Sequence, residues 1–169
     1  MSSTSSPSFS PPRPRAAAPE LACRVALTRL ECERHFEVRR QVFCDEQELF
    51  DRDDRDARDE RPDSLHVIGT VDARIEGAVR LYPLDEPGLW KGDRLAVLAG
   101  SRVRHLGALL VRFAVRTAGN RGGDRMVAHI QLRNVPFFAA LGWRATGEPA
   151  PFHGADHQLM AIDLRRSGR

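Results

Sequence analysis

The stretch Arg94-Leu-Ala-Val-Leu-Ala-Gly-Ser-Arg-Val-Arg-His-Leu-Gly-Ala-Leu-Leu110 decides the fold. It opens as a short apolar strand, Arg94 to Leu98, and passes through a basic turn. It then enters an amphipathic helix, Arg104 to about Ala118, with Leu106, Leu109, Leu110, Phe113 and Val115 inward. A strand, a tight turn and a helix start bring unpaired backbone N–H groups, two arginines and the positive end of a helix dipole to one point. Such a point binds a diphosphate.

Upstream, Ser64–Val71 and Gly77–Pro83 are β-rich and joined by a short polar turn, which predicts a hairpin. Pro83–Gly92 is dense in turn residues and reads as a loop. Leu30 to about Gln47 reads as a helix, with Leu30, Phe36, Val38, Val42 and Phe43 on one face, and Cys23–Leu27 as a first strand. The run Phe50–Pro62 breaks all periodicity and predicts a solvated loop with room for one frayed helical turn and with local ion pairs, each worth little. Downstream, Arg125–Gln131 is a strand, Asn134–Leu141 a short helix ended by Gly142, and Trp143 onward with His157–Leu164 the closing strands. This order predicts an α/β domain with a mixed, mostly antiparallel central sheet of about six to seven strands flanked by helices.

With 169 residues the chain fits one domain, placed at 21–169 behind a disordered Pro/Ser/Arg-rich tail, 1–20. No apolar run approaches the roughly 20 residues of a membrane span, and the start lacks a secretory signal's apolar stretch. A cytoplasmic protein without a membrane partner is expected. The net charge of +3 is modest, and Lys91 is the single lysine among 26 basic residues. No aromatic stacking set is interleaved with the arginines, so nucleic acid is not expected as a partner. Cys23, Cys32 and Cys44 form no Cys-x-x-Cys pair, and Cys32-x-x-His35 offers only two ligands. Reduced thiols and no metal are expected.

Three segments carry a family resemblance. Arg102-Val-Arg-His-Leu-Gly107 resembles the Arg/Gln-x-x-Gly-x-Gly/Ala fingerprint of GNAT-type N-acetyltransferases, and Leu95-Ala-Val97 resembles the strand before it. Gln131–Trp143 resembles the GNAT segment in which a strand leads to a short helix ending Phe-Tyr-x-x-Leu-Gly-Phe. Glu37–Gln47 is similar to the first helix of a subgroup of small GNATs. Val42–Phe50 and His157–Met160 are similar to a bacterial acetyltransferase subgroup associated with nitrilase gene clusters and nitrogen starvation.

The resemblance implies the GNAT fold, acetyl-CoA as cosubstrate, and transfer of its acetyl group to a primary amine of a small molecule. It assigns the pyrophosphate to Arg102, Val103, Arg104, His105, Leu106, Gly107 and Ala108, and the pantetheine arm to Leu95, Ala96, Asn134, Phe137 and Phe138. The Val97 backbone N–H meets the thioester oxygen. A general base is needed because an alkyl ammonium is protonated at neutral pH. Glu46 is the first candidate, followed by His129 and Asp45, and Gln131 could orient substrate. His153 and His157 could line the acceptor site, but read first as surface-loop histidines. Two residues depart from the pattern: His105 stands where the family prefers glycine, and Phe138 where many members have a tyrosine that serves as general acid. Both favour the rival reading, a noncatalytic acyl-CoA-binding or regulatory module. Exposed edge strands leave monomer and homodimer open.

Overall fold

The computed structural model describes residues 17–165, without the side chains of Val103 and Arg104. The first sixteen residues of the expected tail lie outside the described residues. The elements run β1 (Leu21–Val25), α1 (Arg29–Arg40), β2 (Leu65–Val71), β3 (Arg74–Pro83), β4 (Leu89–Val97), α2 (Leu106–Asn120), β5 (Arg125–Gln131), α3 (Val135–Ala140), β6 (Arg144–Ala145), β7 (Ala150–Phe152) and β8 (Ala155–Asp163).

The strands form one sheet in the order β1-β2-β3-β4-β5-β8-β6, with β7 also on β8. Every pairing is antiparallel except β4 with β5. The expected mixed, mostly antiparallel sheet is what forms. β6 lies where a strand is expected after Trp143, and the eighth strand is β7, three residues long and too short to show a period-two pattern. Strand β4 begins at Leu89, not Arg94, because Trp90, Lys91 and Gly92 pair with Pro83, Tyr82 and Leu81. Only the turn between remains of the expected loop, closed by Leu84 N–H to Leu89 O at 2.8 Å.

The two long helices cover opposite faces. Leu106 and Leu110 of α2 press onto the strands at Gly69 and Gly77, where a Cβ on Gly77 would sit 2.7 Å from Leu110 Cδ1. Val38, Val42 and Phe43 pack on Ala78 and Ala96 from the other side. Thr28 and Glu31 start α1 with a capping box. Its end widens into a π-helical turn, Gln41–Glu46, closed by Gln47 N–H to Val42 O at 2.9 Å. Among the described residues no helix is long and apolar enough to cross a membrane.

The acidic run behaves unlike the solvated loop expected of it. Asp54 and Asp59 are buried. Strand alternation puts Arg80 on the same face as Ala78, beneath α1, and α1 turns Arg39 toward it. Two guanidiniums inside the fold must be matched there. Asp59 accepts from Arg39 at 2.7 and 3.0 Å, and Asp54 from Arg39 Nε at 2.8 Å. Arg80 donates to Asp56 at 2.6 Å and to Asp93 at 2.8 Å. Arg94 reaches Asp54 at 3.0 Å. Burial pushes Asp54 upward in pKa, whereas at Asp59 burial is overcome by the Arg39 hydrogen bonds and charge together with the Asp56 backbone N–H and the Arg80 charge, which hold the carboxyl below the usual range.

Candidate active site

The site begins with a strand pair that comes apart. β4 and β5 run parallel only through Leu89, Trp90 and Lys91, opposite Arg125, Met126 and Val127. Beyond Lys91 no ladder joins them, and β5 continues on β8 as far as Gln131 opposite His157. The cause lies in β4. Its register on β3 slips by one residue between the Ala78–Ala96 and Arg80–Asp93 pairs, and Arg94 takes φ 54°. A bulge of this kind bends its strand.

Leu98 N–H donates to Glu76 O at 2.9 Å. Bonded and non-bonded pairs alternate in an antiparallel ladder, so Val97, opposite Gly77, turns its N–H and C=O away from β3 into the gap. Its carbonyl is met there by Arg102 Nε at 3.1 Å.

An open cleft of about 970 Å³ follows this edge, between Val97 and Arg102 on one side and Asn134, Phe137 and Phe138 on the other. It receives the N terminus of α2, where no side chain caps the helix. The preceding residue, His105, adopts φ 62° and ψ 14°. This left-handed conformation is one that glycine adopts without steric cost and a histidine rarely takes. Glu46, at the end of the π-helical turn, bonds Arg102 across the cleft at 2.5 and 2.6 Å. That bond holds the Glu46 carboxyl below its ordinary pKa.

A smaller cavity of about 150 Å³ occupies the V that β4 and β5 form as they splay apart, and meets the cleft along Gln47, Leu49, Leu95, Gln131, Asn134 and Phe138. His129 lines it, stacked face to face on Phe152 at 4.3 Å, with Nδ1 buried and without a hydrogen-bond partner. Burial first, then the Lys91 charge and the other histidines, push His129 below the ordinary imidazole pKa. His153, lowered by burial and then Arg94, lines the cavity as well.

The family model of the acetyltransferase (GNAT) family matches residues 26–143, more than half of the chain. The chain belongs to the GNAT acetyltransferase family. It is 26% identical over 113 residues to the uncharacterized N-acetyltransferase YjcF of Bacillus subtilis, covering 67% of this chain and 78% of the relative. A candidate N-acetyltransferase from Lactobacillus plantarum superposes with a TM-score of 0.77 at 19% identity, covering 85% of this chain and 98% of that one. An acyl-CoA N-acyltransferase from Pseudomonas aeruginosa gives 0.73 at 22% identity, with coverages of 85% and 98%. At these identities the two structures speak for the fold.

Against this GNAT frame the expected site residues separate into groups. Glu46, Leu95, Val97, Arg102, His105, Gly107, Ala108, Gln131, Asn134, Phe137 and Phe138 all line the cleft. The side chains of Ala96 and Leu106 turn into the two cores, leaving only their backbone for a ligand. Those of Val103 and Arg104 lie outside the described residues. Of the candidate bases, His129 lies in the cavity, Glu46 in the cleft, and Asp45 on neither wall, in an ion pair with Arg40 at 2.9 Å.

Phe138 packs edge-on against Phe137 at 5.3 Å and Trp143 at 5.5 Å, on the rim the two spaces share. The single tyrosine, Tyr82, is buried and donates to Asp93 at 3.0 Å.

Sequence reasoning missed Gln47, Lys91, Asp93, Arg94 and Phe152 as cavity walls, and took His153 and His157 for surface histidines. The β7–β8 pairing folds that segment back over His129. The isolation of Lys91 as the chain's lone lysine was the one available signal.

Proposed function

We propose that this GNAT protein transfers the acetyl group of acetyl-CoA to a primary amine of a small molecule. One observation carries the reading. The unpaired edge of β4, with the Val97 N–H turned into the gap, runs straight into the uncapped N terminus of α2. A pantetheine arm can pair with such an edge while its pyrophosphate sits at the helix dipole. Arg102, the first-turn backbone of α2 and the Val103–Ala108 segment hold the diphosphate. Asn134, Phe137 and Phe138 flank the arm.

Acetyl-CoA supplies a thioester whose carbonyl carbon the amine attacks, forming C–N while C–S breaks and CoA leaves as the thiolate. The Val97 N–H faces the carbonyl oxygen. His129 takes the proton from the substrate ammonium. It is neutral at neutral pH, its Nδ1 is unengaged, and it lies in the cavity next to the cleft. Glu46 acts on Arg102 rather than on the amine. Three free cysteines accord with a cytoplasmic enzyme.

Calorimetric titration with acetyl-CoA tests the reading. A Cβ on Gly107 would stand 3.7 Å from both Phe137 and Val97, so Gly107→Trp fills the cleft between them. Micromolar binding by the wild type, lost in the variant, is the expected result, and a folded wild type that binds no acetyl-CoA overturns it. Phe138 favours a second reading, a module that holds acyl-CoA without turning it over, since no tyrosine lines the site to protonate the thiolate. Sustained CoA release with an amine panel separates the two.

A further inference from the structure

The cavity in the V holds one cation that no carboxylate of the described residues answers. Lys91 lines it, with Nζ 5.5 Å from the centroid of the Phe152 ring and no ion pair. Asp93 is the one carboxylate on the cavity wall, and its oxygens are taken by Arg80, twice at 2.8 Å, and by the Tyr82 hydroxyl at 3.0 Å. Arg94, the other cation there, is held by Asp54 at 3.0 Å and Asp56 at 3.3 Å.

The position of Lys91 gives this free charge a use. It is the last residue of β4 in the β5 ladder, so it stands at the closed end of the V. Leu95, four residues on, belongs to both cavity and cleft and marks the open end. At about 3.3 Å per residue the two ends lie no more than about 13 Å apart, and the lysine stem covers part of that. His129, the proposed base, lies two residues, about 7 Å, along β5 from Val127, the partner of Lys91, so an amine at His129 and an anion on Lys91 are separated by only a few bonds.

One ammonium balances one carboxylate, whereas a phosphate dianion calls for a guanidinium fork or a helix terminus. Much of the remaining wall is apolar, with Val111, Ala114, Met126, Ile130 and Trp143 among it. Its volume of about 150 Å³ matches that of an apolar cavity that admits a benzene ring.

We propose that the acceptor is an amine bearing both a carboxylate and a compact apolar side chain, the chemistry of an apolar amino acid, with Lys91 holding the carboxylate. The proposal rests on the acyl-transfer reading above.

The full chain is assayed for CoA release from acetyl-CoA with L-leucine and L-phenylalanine, and with their carboxamides, which lack the charge. The acids are expected to exceed the amides at least about tenfold in kcat/KM. Lys91→Met is expected to raise KM for leucine by a similar factor, Lys91→Arg to recover most of it, and both to bind acetyl-CoA as the wild type does. Equal use of acids and amides, or an equal loss on both in Lys91→Met, overturns the proposal. If acetyl-CoA binds and no acid reacts, leucine is titrated into the CoA-saturated protein, and failure to bind overturns it as well. A wild type that binds no acetyl-CoA overturns the acyl-transfer reading itself, and the acceptor assignment with it.

Discussion

Glu46 and Arg102 meet on the wall of the cleft as a two-point ion pair at 2.5 and 2.6 Å, although 56 residues separate them in the chain. The carboxylate comes from the π-helical turn after α1 and the guanidinium from the turn before α2. With Arg102 proposed to hold the diphosphate, Glu46 competes with the ligand for it. Glu46→Gln should therefore tighten acetyl-CoA binding several-fold at low salt, an effect that fades as ionic strength rises. Arg102→Ala should weaken it about tenfold. Titrations at two salt concentrations check both. A Glu46→Gln enzyme without turnover would return the role of base to Glu46.

The proton-accepting role of His129 predicts a pH profile. Its pKa lies below the ordinary imidazole value, so kcat/KM should hold level through neutrality and fall only on the acid side of pH 6.5. His129→Gln should cost about 100-fold or more and abolish that limb. An unchanged limb in the variant would assign the proton transfer elsewhere.

His35 couples folding to acidity. Its Nδ1–H donates to Val67 O at 3.0 Å, its Nε2 faces Arg39, and burial, then the Arg39 charge, hold its pKa at about 3. The unfolded chain binds this proton near pH 6.5 and the folded one only near 3, so stability from His35 is complete above pH 6.5. It falls as pH drops toward 3, by about 1.4 kcal/mol per unit in the steep part. His66, His129 and His153, all lowered, add in the same direction. Urea unfolding across pH 4.5–7 should show a slope shallower by about one proton in His35→Gln.

The buried ionic cluster makes Asp59 costly to neutralise. Asp59→Asn leaves Arg39 and Arg80 undercompensated inside the fold and should destabilise by about 3–5 kcal/mol. An exposed pair such as Arg29–Glu33 should be worth less than about 1 kcal/mol on disruption. Chemical denaturation of both variants makes the comparison.

At His105 the left-handed backbone sets an order of stability. His105→Gly should be neutral to stabilising by up to about 1 kcal/mol, since the strain it relieves is partly offset by chain entropy. His105→Val, β-branched at positive φ, should destabilise by about 1–2 kcal/mol. Thermal melts of the two variants test this order.

Local patterns carried much of this protein. The apolar spacing at Leu106, Leu110 and Phe113 is a property of a few consecutive residues, and it announced the strand–turn–helix unit without further context. The positive φ at His105 was foreshadowed by the glycine that the family places there, because the turn geometry belongs to the segment itself. The three-residue strand β7 left no periodic trace, and its pairing on β8 alone defines it.

The rest was settled only by residues meeting across the fold. Nothing local distinguishes Asp54 and Asp59 from the other acids of their run; they are buried because Arg39 and Arg80 arrive from α1 and β3 needing partners. The one-residue slip near Arg94 depends on the β3 register, and it opens the V that makes cleft and cavity. The sequence by itself determined most of the strands and helices and the strand–turn–helix unit at Arg94–Leu110, because backbone periodicity and helix termini are short-range physics. Tertiary structure decided which charges are inside and which histidines and which lysine line the cavity, because burial and pairing exist only between elements distant in the chain.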